Sequence, residues 1–176
     1  GDARPAAAES FFGDTSPPKD NILRFNLGPE PETYDPSLAV GQPDGRVARI
    51  LFEGLTREDA QTLEPRPGCA ERWELTADGL TYTFHLRPGL TWSDGVPLTA
   101  EDFRWSWLRV LKPENAARYA ALLYPIRGAE GFSRGTIQSP DNVGVRVVDD
   151  STLVVQLENP TAYFLYLVQF YTYLPV

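Results

Sequence analysis

From Leu80 to Arg87 apolar and polar residues alternate without a break. Leu80, Tyr82, Phe84 and Leu86 fall on one face, and Thr81, Thr83, His85 and Arg87 on the other. Successive strand side chains point to opposite faces, so this period of two predicts a strand with one buried face. It also puts His85 on the polar side, where a solvent-facing imidazole is the expectation. The same period recurs at Val143, Val145 and Val147 and, after Asp149, Asp150 and Ser151, at Leu153, Val155 and Leu157. Two such runs around a polar turn predict a β-hairpin. Asn21 to Leu27 reads as a shorter strand, followed by a loop punctuated by Pro29, Pro31 and Pro36.

Elsewhere the period lengthens. Val47, Ile50, Leu51 and Leu55 follow helical spacing, which predicts a helix with Asp44 as its N-cap, ending near Gly54. Phe103, Trp107, Val110 and Leu111 supply the apolar face of a second helix. A third is expected from Asn159 as N-cap and Pro160 at the first helical position. Its apolar run from Thr161 is broken by Gln169 and is shorter than the roughly 20 residues a membrane helix needs. It therefore reads as a buried helix. Strands and helices do not alternate strictly, so the fold class is α+β with a mainly antiparallel sheet.

The stretch TWSDGVPLTAEDF, residues 91 to 103, gathers hydroxyls and acids that could suggest a catalytic loop. Each residue has a structural use instead. Asp94-Gly95 makes a turn, Pro97 fixes an extended entry, and Thr99 with Asp102 matches the reciprocal cap of a helix start. Ser93, Asp94, Glu101 and Asp102 have no histidine beside them in sequence, and a nucleophile needs a base.

Composition narrows the classes further. The chain has 176 residues, 42% of them apolar and 12% aromatic, which suits one globular unit. The first 20 residues, small, polar and rich in proline, read as a flexible leader of the kind that joins an exported domain to a membrane anchor. There is no methionine, so the initiator and any signal region are expected upstream. Sixteen basic against 24 acidic residues give a net charge of −8 with no basic block, which argues against a nucleic-acid partner. A single cysteine, Cys69, excludes an internal disulfide and a cysteine zinc site, and a single histidine removes most histidine-dependent hydrolase designs. No phosphate loop or dinucleotide fingerprint occurs, so no cofactor and no metal is expected. Cys69 reads as a small buried apolar residue.

The series ERWELTADGLTYTFHLRPGLTWSDGVPLTAEDFRWSW, residues 71 to 107, resembles the marker region of the family 5 extracellular solute-binding proteins. These are the oligopeptide and dipeptide binders of ATP-binding-cassette (ABC) importers. The resemblance extends to YDPSLAV (34–40), ILFEGL (50–55), RYAALL (118–123) and VVDDSTLVVQLENPTAYFLYLV (147–168). It implies a two-lobed, periplasmic-binding-protein-like clamshell that captures a peptide outside the cytoplasm and delivers it to a membrane permease, without catalysis. It implies a periplasmic or cell-surface location, with a lipid anchor as one mode of attachment.

Residues 21–52 would then belong to the first ligand-binding lobe and 53–176 to the extra subdomain of the larger members, with the remaining lobe beyond this chain. Within this frame Tyr119 matches a tyrosine bordering the peptide site, and Val40, Gly41 and Gln42 match a segment lining the same cleft. A core aromatic on a helix face is the competing reading of Tyr119. Where some peptide binders carry an acid in this loop, this chain has Val40 and Gln42. Nickel complexes, sugars, opines and a ligand-sensing role without transport are the alternatives the family offers. The aromatics Tyr163, Phe164, Tyr166, Phe170, Tyr171 and Tyr173 crowd the end of the chain, and self-association through them is expected if they find no cover.

Overall fold

The computed structural model describes residues 26–176. In chain order the elements are α1 (Gln42–Leu51), β1 (Thr56–Glu58), β2 (Pro65–Pro67), β3 (Ala70–Leu75), β4 (Thr81–Leu86), α2 (Ala100–Leu111), α3 (Ala129–Ser133), β5 (Val145–Asp149), β6 (Thr152–Gln156) and α4 (Phe164–Leu167). β1 and β2 form a small antiparallel ribbon, while the main sheet is antiparallel throughout in the order β3-β4-β6-β5.

The alternating pattern of β4 is realised as predicted: Tyr82, Phe84 and Leu86 are buried, and Thr81, Thr83 and His85 are half-buried on the other face. His85 lies 3.3 Å from the Glu74 carboxylate on the adjoining strand. Register pairs Phe84 with Leu153 and Tyr82 with Val155, so the inner faces of β4 and β6 present one apolar surface. α2 covers it with Phe103, Trp107, Val110 and Leu111, all buried. Leu123, Ile126, Phe132, Phe164 and Tyr173 complete this core. Burying an aromatic such as Phe84 contributes about 1.5–3 kcal/mol.

Residues 91–103 act as a corner. Trp92 N–H bonds to the Val96 carbonyl (2.8 Å), Asp94 accepts the Val96 N–H (3.0 Å), and Gly95 takes the positive φ the turn needs. Trp92 is half-buried rather than a core residue. At the α2 start the Asp102 carboxylate accepts the Thr99 N–H at 2.6 Å and the Thr99 hydroxyl at 3.0 Å. Thr99→Ala is expected to lower stability by about 1 kcal/mol, read as a shift in thermal midpoint, and to leave ligand affinity unchanged. A selective affinity loss at unchanged midpoint would overturn the structural reading of this corner. Cys69 is buried, as expected; burial first and the Glu53 carboxylate second push its thiol up to about 12, so it stays protonated.

Several sequence expectations need correction or fall outside the described residues. The leader and residues 21–25 of the first predicted strand lie outside the described residues, and Asn26 and Leu27 adopt no regular structure. α1 starts two residues before Asp44, with Gly41 as N-cap and Asp44 at the third helical position. It ends at Leu51, where Phe52 turns extended, and not near Gly54. Ile50 and Leu51 are exposed, and Leu55 is buried but beyond the helix, in the main core.

The final helix does not begin at Asn159 and Pro160; only Phe164–Leu167 is α-helical, followed by one 3₁₀ turn at Tyr171–Tyr173. A continuous helix would stack Phe164, Val168 and Tyr171 on one face. Phe164 and Val168 instead join the main core, and Tyr171 joins a second cluster with Ala39, Ala48 and Leu174. Serving two cores requires the break, and Phe170 supplies it in an extended conformation. Phe164, Tyr171 and Tyr173 are buried by the chain itself and Phe170 is half-buried, while Tyr163 and Tyr166 stay exposed.

Candidate ligand-binding site

The segment leading into α1 is held from both ends. The Asp35 carboxylate takes the Arg109 guanidinium of α2 in a two-pronged contact (2.9 and 2.5 Å) and accepts the Ser37 N–H at 2.9 Å. Burial raises the Asp35 carboxyl, but the Arg109 and Ser37 bonds outweigh it and hold the group below the ordinary value. Asp44, only 3% exposed, accepts the N–H groups of Glu32 (2.8 Å), Val40 (3.1 Å) and Gly41 (3.2 Å). Its carboxyl is likewise lowered, because those backbone donors overcome the opposing effect of burial. The two acids thus fix residues 35–41 against both helices.

Gln42, Gly45, Arg46 and Arg49 recur at intervals of three and four, so they share one stripe of α1. This stripe faces Tyr119, Phe170 and Tyr171 across a groove of about 440 Å³, which Val40 and Gly41 close at one end. Cavities of this size suit small-molecule ligands. Tyr119 meets Phe170 and Tyr171 edge-on, with centroids 5.6 and 6.0 Å apart, and Phe170 stacks on Tyr171 at 4.1 Å. The Tyr119 hydroxyl donates to the Val40 carbonyl at 3.1 Å. Gly45 is required here: a Cβ would lie 2.7 Å from Cε1 of Tyr171. Burial, then Tyr119 and the Asp44 charge, push the Tyr171 hydroxyl up to about 12, so this phenol stays neutral near pH 7.

All of the residues selected from sequence, Val40, Gly41, Gln42 and Tyr119, therefore line one groove. The Tyr119 ring packs on two aromatics, and the residue also lines the groove. Gly45, Arg46, Arg49, Phe170 and Tyr171 were not selected. The helical stripe beginning at Gln42 could have shown the first three. The two aromatics were hidden in the apolar run read as one helix.

Four other surface grooves are larger, of about 640 Å³ against β5, 630 Å³ between α2 and α3, 500 Å³ beside the end of α1 and β1, and 450 Å³ beside Cys69 and Trp92. None of them is lined by Val40, Gly41, Gln42 or Tyr119. Among the described residues no cluster of three or more His, Cys, Asp or Glu could hold a metal, and no helix is long and apolar enough to cross a membrane.

The family model for bacterial extracellular solute-binding proteins, family 5, matches residues 64–176. The chain belongs to this family. The oligopeptide-binding protein of Bacillus subtilis is 47% identical over 154 residues, covering 88% of this chain and 28% of that protein. The periplasmic oligopeptide-binding protein of Escherichia coli is 40% identical over 160 residues, covering 90% and 29%. Among solved structures, the Haemophilus influenzae oligopeptide-binding protein in complex with the peptide RPPGFSPFR superposes with a TM-score of 0.82 at 40% identity, covering 86% of this chain and 29% of that one. The chain thus spans less than a third of the length of these family 5 relatives.

Proposed function

We propose that the groove between α1 and the Tyr119–Phe170–Tyr171 wall is one side of a cleft in which this family 5 protein captures oligopeptides. Capture would take place outside the cytoplasm, for hand-over to an ABC permease. The observation that carries the reading is the convergence of Val40, Gly41, Gln42 and Tyr119 on one concave, aromatic-walled surface. Relatives at 40% and 47% identity that are oligopeptide-binding proteins support it. Residues up to Phe52 would belong to the ligand-binding lobe, with Tyr171 and Leu174 returning to pack on α1, and the main sheet with α2 would form the adjoining subdomain.

The Val40 and Gly41 N–H groups are already taken by Asp44, so this wall meets a ligand mainly through side chains. The cleft needs an opposing surface to enclose a peptide, and closing it would supply the extra contacts that stabilise the bound state. Titration calorimetry of the full-length protein with a mixed tripeptide to pentapeptide pool tests the reading. Binding is expected, and Tyr119→Ala should weaken it by about tenfold, in line with loss of one aromatic anchor. Absence of binding, or full affinity in the variant, would overturn it.

A further inference from the structure

The lining of the groove carries two arginines and no acid. The chain as a whole is acidic, with a net charge of −8, and half of its described arginines are neutralised locally. Arg66, Arg72, Arg87, Arg104, Arg109 and Arg134 each hold an Asp or Glu. Arg46 and Arg49 hold none among the described residues, and both line the groove. Among the described residues Arg46 donates only to the Leu27 carbonyl, at 3.2 Å.

Asp44, on the same helix, is buried with both oxygens turned onto backbone N–H groups, and no acid lines the groove. Helix stability does not account for Arg46. It sits in the second turn from the positive end of α1, where a cation gains nothing from the helix dipole. Arg46 and Arg49 are three residues apart on one face, about 5–6 Å between Cβ atoms, so both guanidiniums can reach one anion. The neutral aromatic wall opposite lowers the local dielectric and strengthens such a contact.

We infer that Arg46 and Arg49 form a carboxylate-selective subsite of the groove, which makes the protein prefer peptides that place an acidic group there. The inference rests on the peptide-binding reading above. Uncharged Val40 and Gln42 at the groove end leave the two guanidiniums free for the ligand. A carboxylate could come from a Glu or Asp side chain or from the peptide C-terminus, and the recognition chemistry is the same.

The test is calorimetry of the full-length protein with Glu-Ala-Ala, Ala-Glu-Ala and Ala-Ala-Glu beside their Gln counterparts, each with a free and an amidated C-terminus. At least one Glu peptide should bind about tenfold tighter than its Gln partner, and the advantage should shrink in 0.5 M salt. A loss confined to C-terminal amidation would instead place the chain end in the subsite and support the same chemistry. Arg46→Gln with Arg49→Gln should bring the Glu-over-Gln affinity ratio to about one, and a ratio unchanged in this variant would overturn the assignment to these two residues. Equal binding of all Glu, Gln and amidated peptides to the unaltered protein would overturn the subsite but leave peptide capture standing. No binding of any peptide would overturn both.

Discussion

Asp44→Ala is expected to destabilise the protein by about 3–5 kcal/mol, because it strands buried N–H groups that a charged acceptor now satisfies. The donors are those of Glu32, Val40 and Gly41, so the substitution frees the segment that closes one end of the groove. Chemical denaturation measures the loss, and peptide affinity should fall with it. Asp44→Asn should cost less, since one amide oxygen still accepts.

The pH dependence follows from the direction of the shift. The folded-state carboxyl of Asp44 lies below the ordinary value of 3.8, so its contribution is fully present above about pH 4–5 and is lost as pH falls through the lowered value. Asp35, also lowered, is lost in the same acid window. Denaturation midpoints of the unaltered protein should drop below pH 4, and the Asp44→Asn profile should be flatter. Parallel profiles would show that Asp44 is not holding the segment electrostatically.

Trp107→Ala is expected to cost about 3–5 kcal/mol, the range for truncating a fully buried aromatic. Trp107 has 0% exposure, meets Tyr173 edge-on at 5.1 Å, and donates its Nε1–H to the Tyr173 carbonyl at 2.8 Å. Tyr173 in turn donates its hydroxyl to the Leu122 carbonyl at 2.7 Å. The indole therefore fastens the 3₁₀ turn that carries Tyr171 to the groove. Trp107→Phe should fill most of the volume but leave the Tyr173 carbonyl unpaired, costing about 1–3 kcal/mol. A loss below 1 kcal/mol for the alanine variant would mean that the core collapses around the gap without needing this anchor.

What the sequence made legible depended on the range of the interactions involved. The strands around Phe84 and Leu153 were readable because burial on one face of a sheet writes a period of two directly into the chain. The start of α2 was readable because Thr99 and Asp102 cap it within a single turn. Short β1, β2 and the exposed β3 went unread, since β3 buries little beyond Ala70 and partly Trp73 and so carries no clean alternation. Asp44 was read as a cap, but its actual place at the third position depends on donors from Glu32 and Val40 in the folded loop. The last helix failed because Tyr171 answers to a second cluster built by α1, which no local period reports.

In the candidate site, the resemblance located Tyr119 and residues 40–42, while the residues that give the groove its charge and depth emerged only from packing. Gly45 shows why: its role is the absence of a side chain under the Tyr171 ring, more than a hundred positions away in sequence.

The most direct test of the groove as a ligand surface is photo-crosslinking of the full-length protein with a short peptide carrying benzoylphenylalanine, followed by peptide mapping. Adducts are expected at residues 40–49, at Tyr119 and at Phe170–Tyr171, and should be displaced by excess unlabelled peptide. Adducts confined within this chain to the grooves at β5 or between α2 and α3, with none on the α1 stripe or the aromatic wall, would contradict the account.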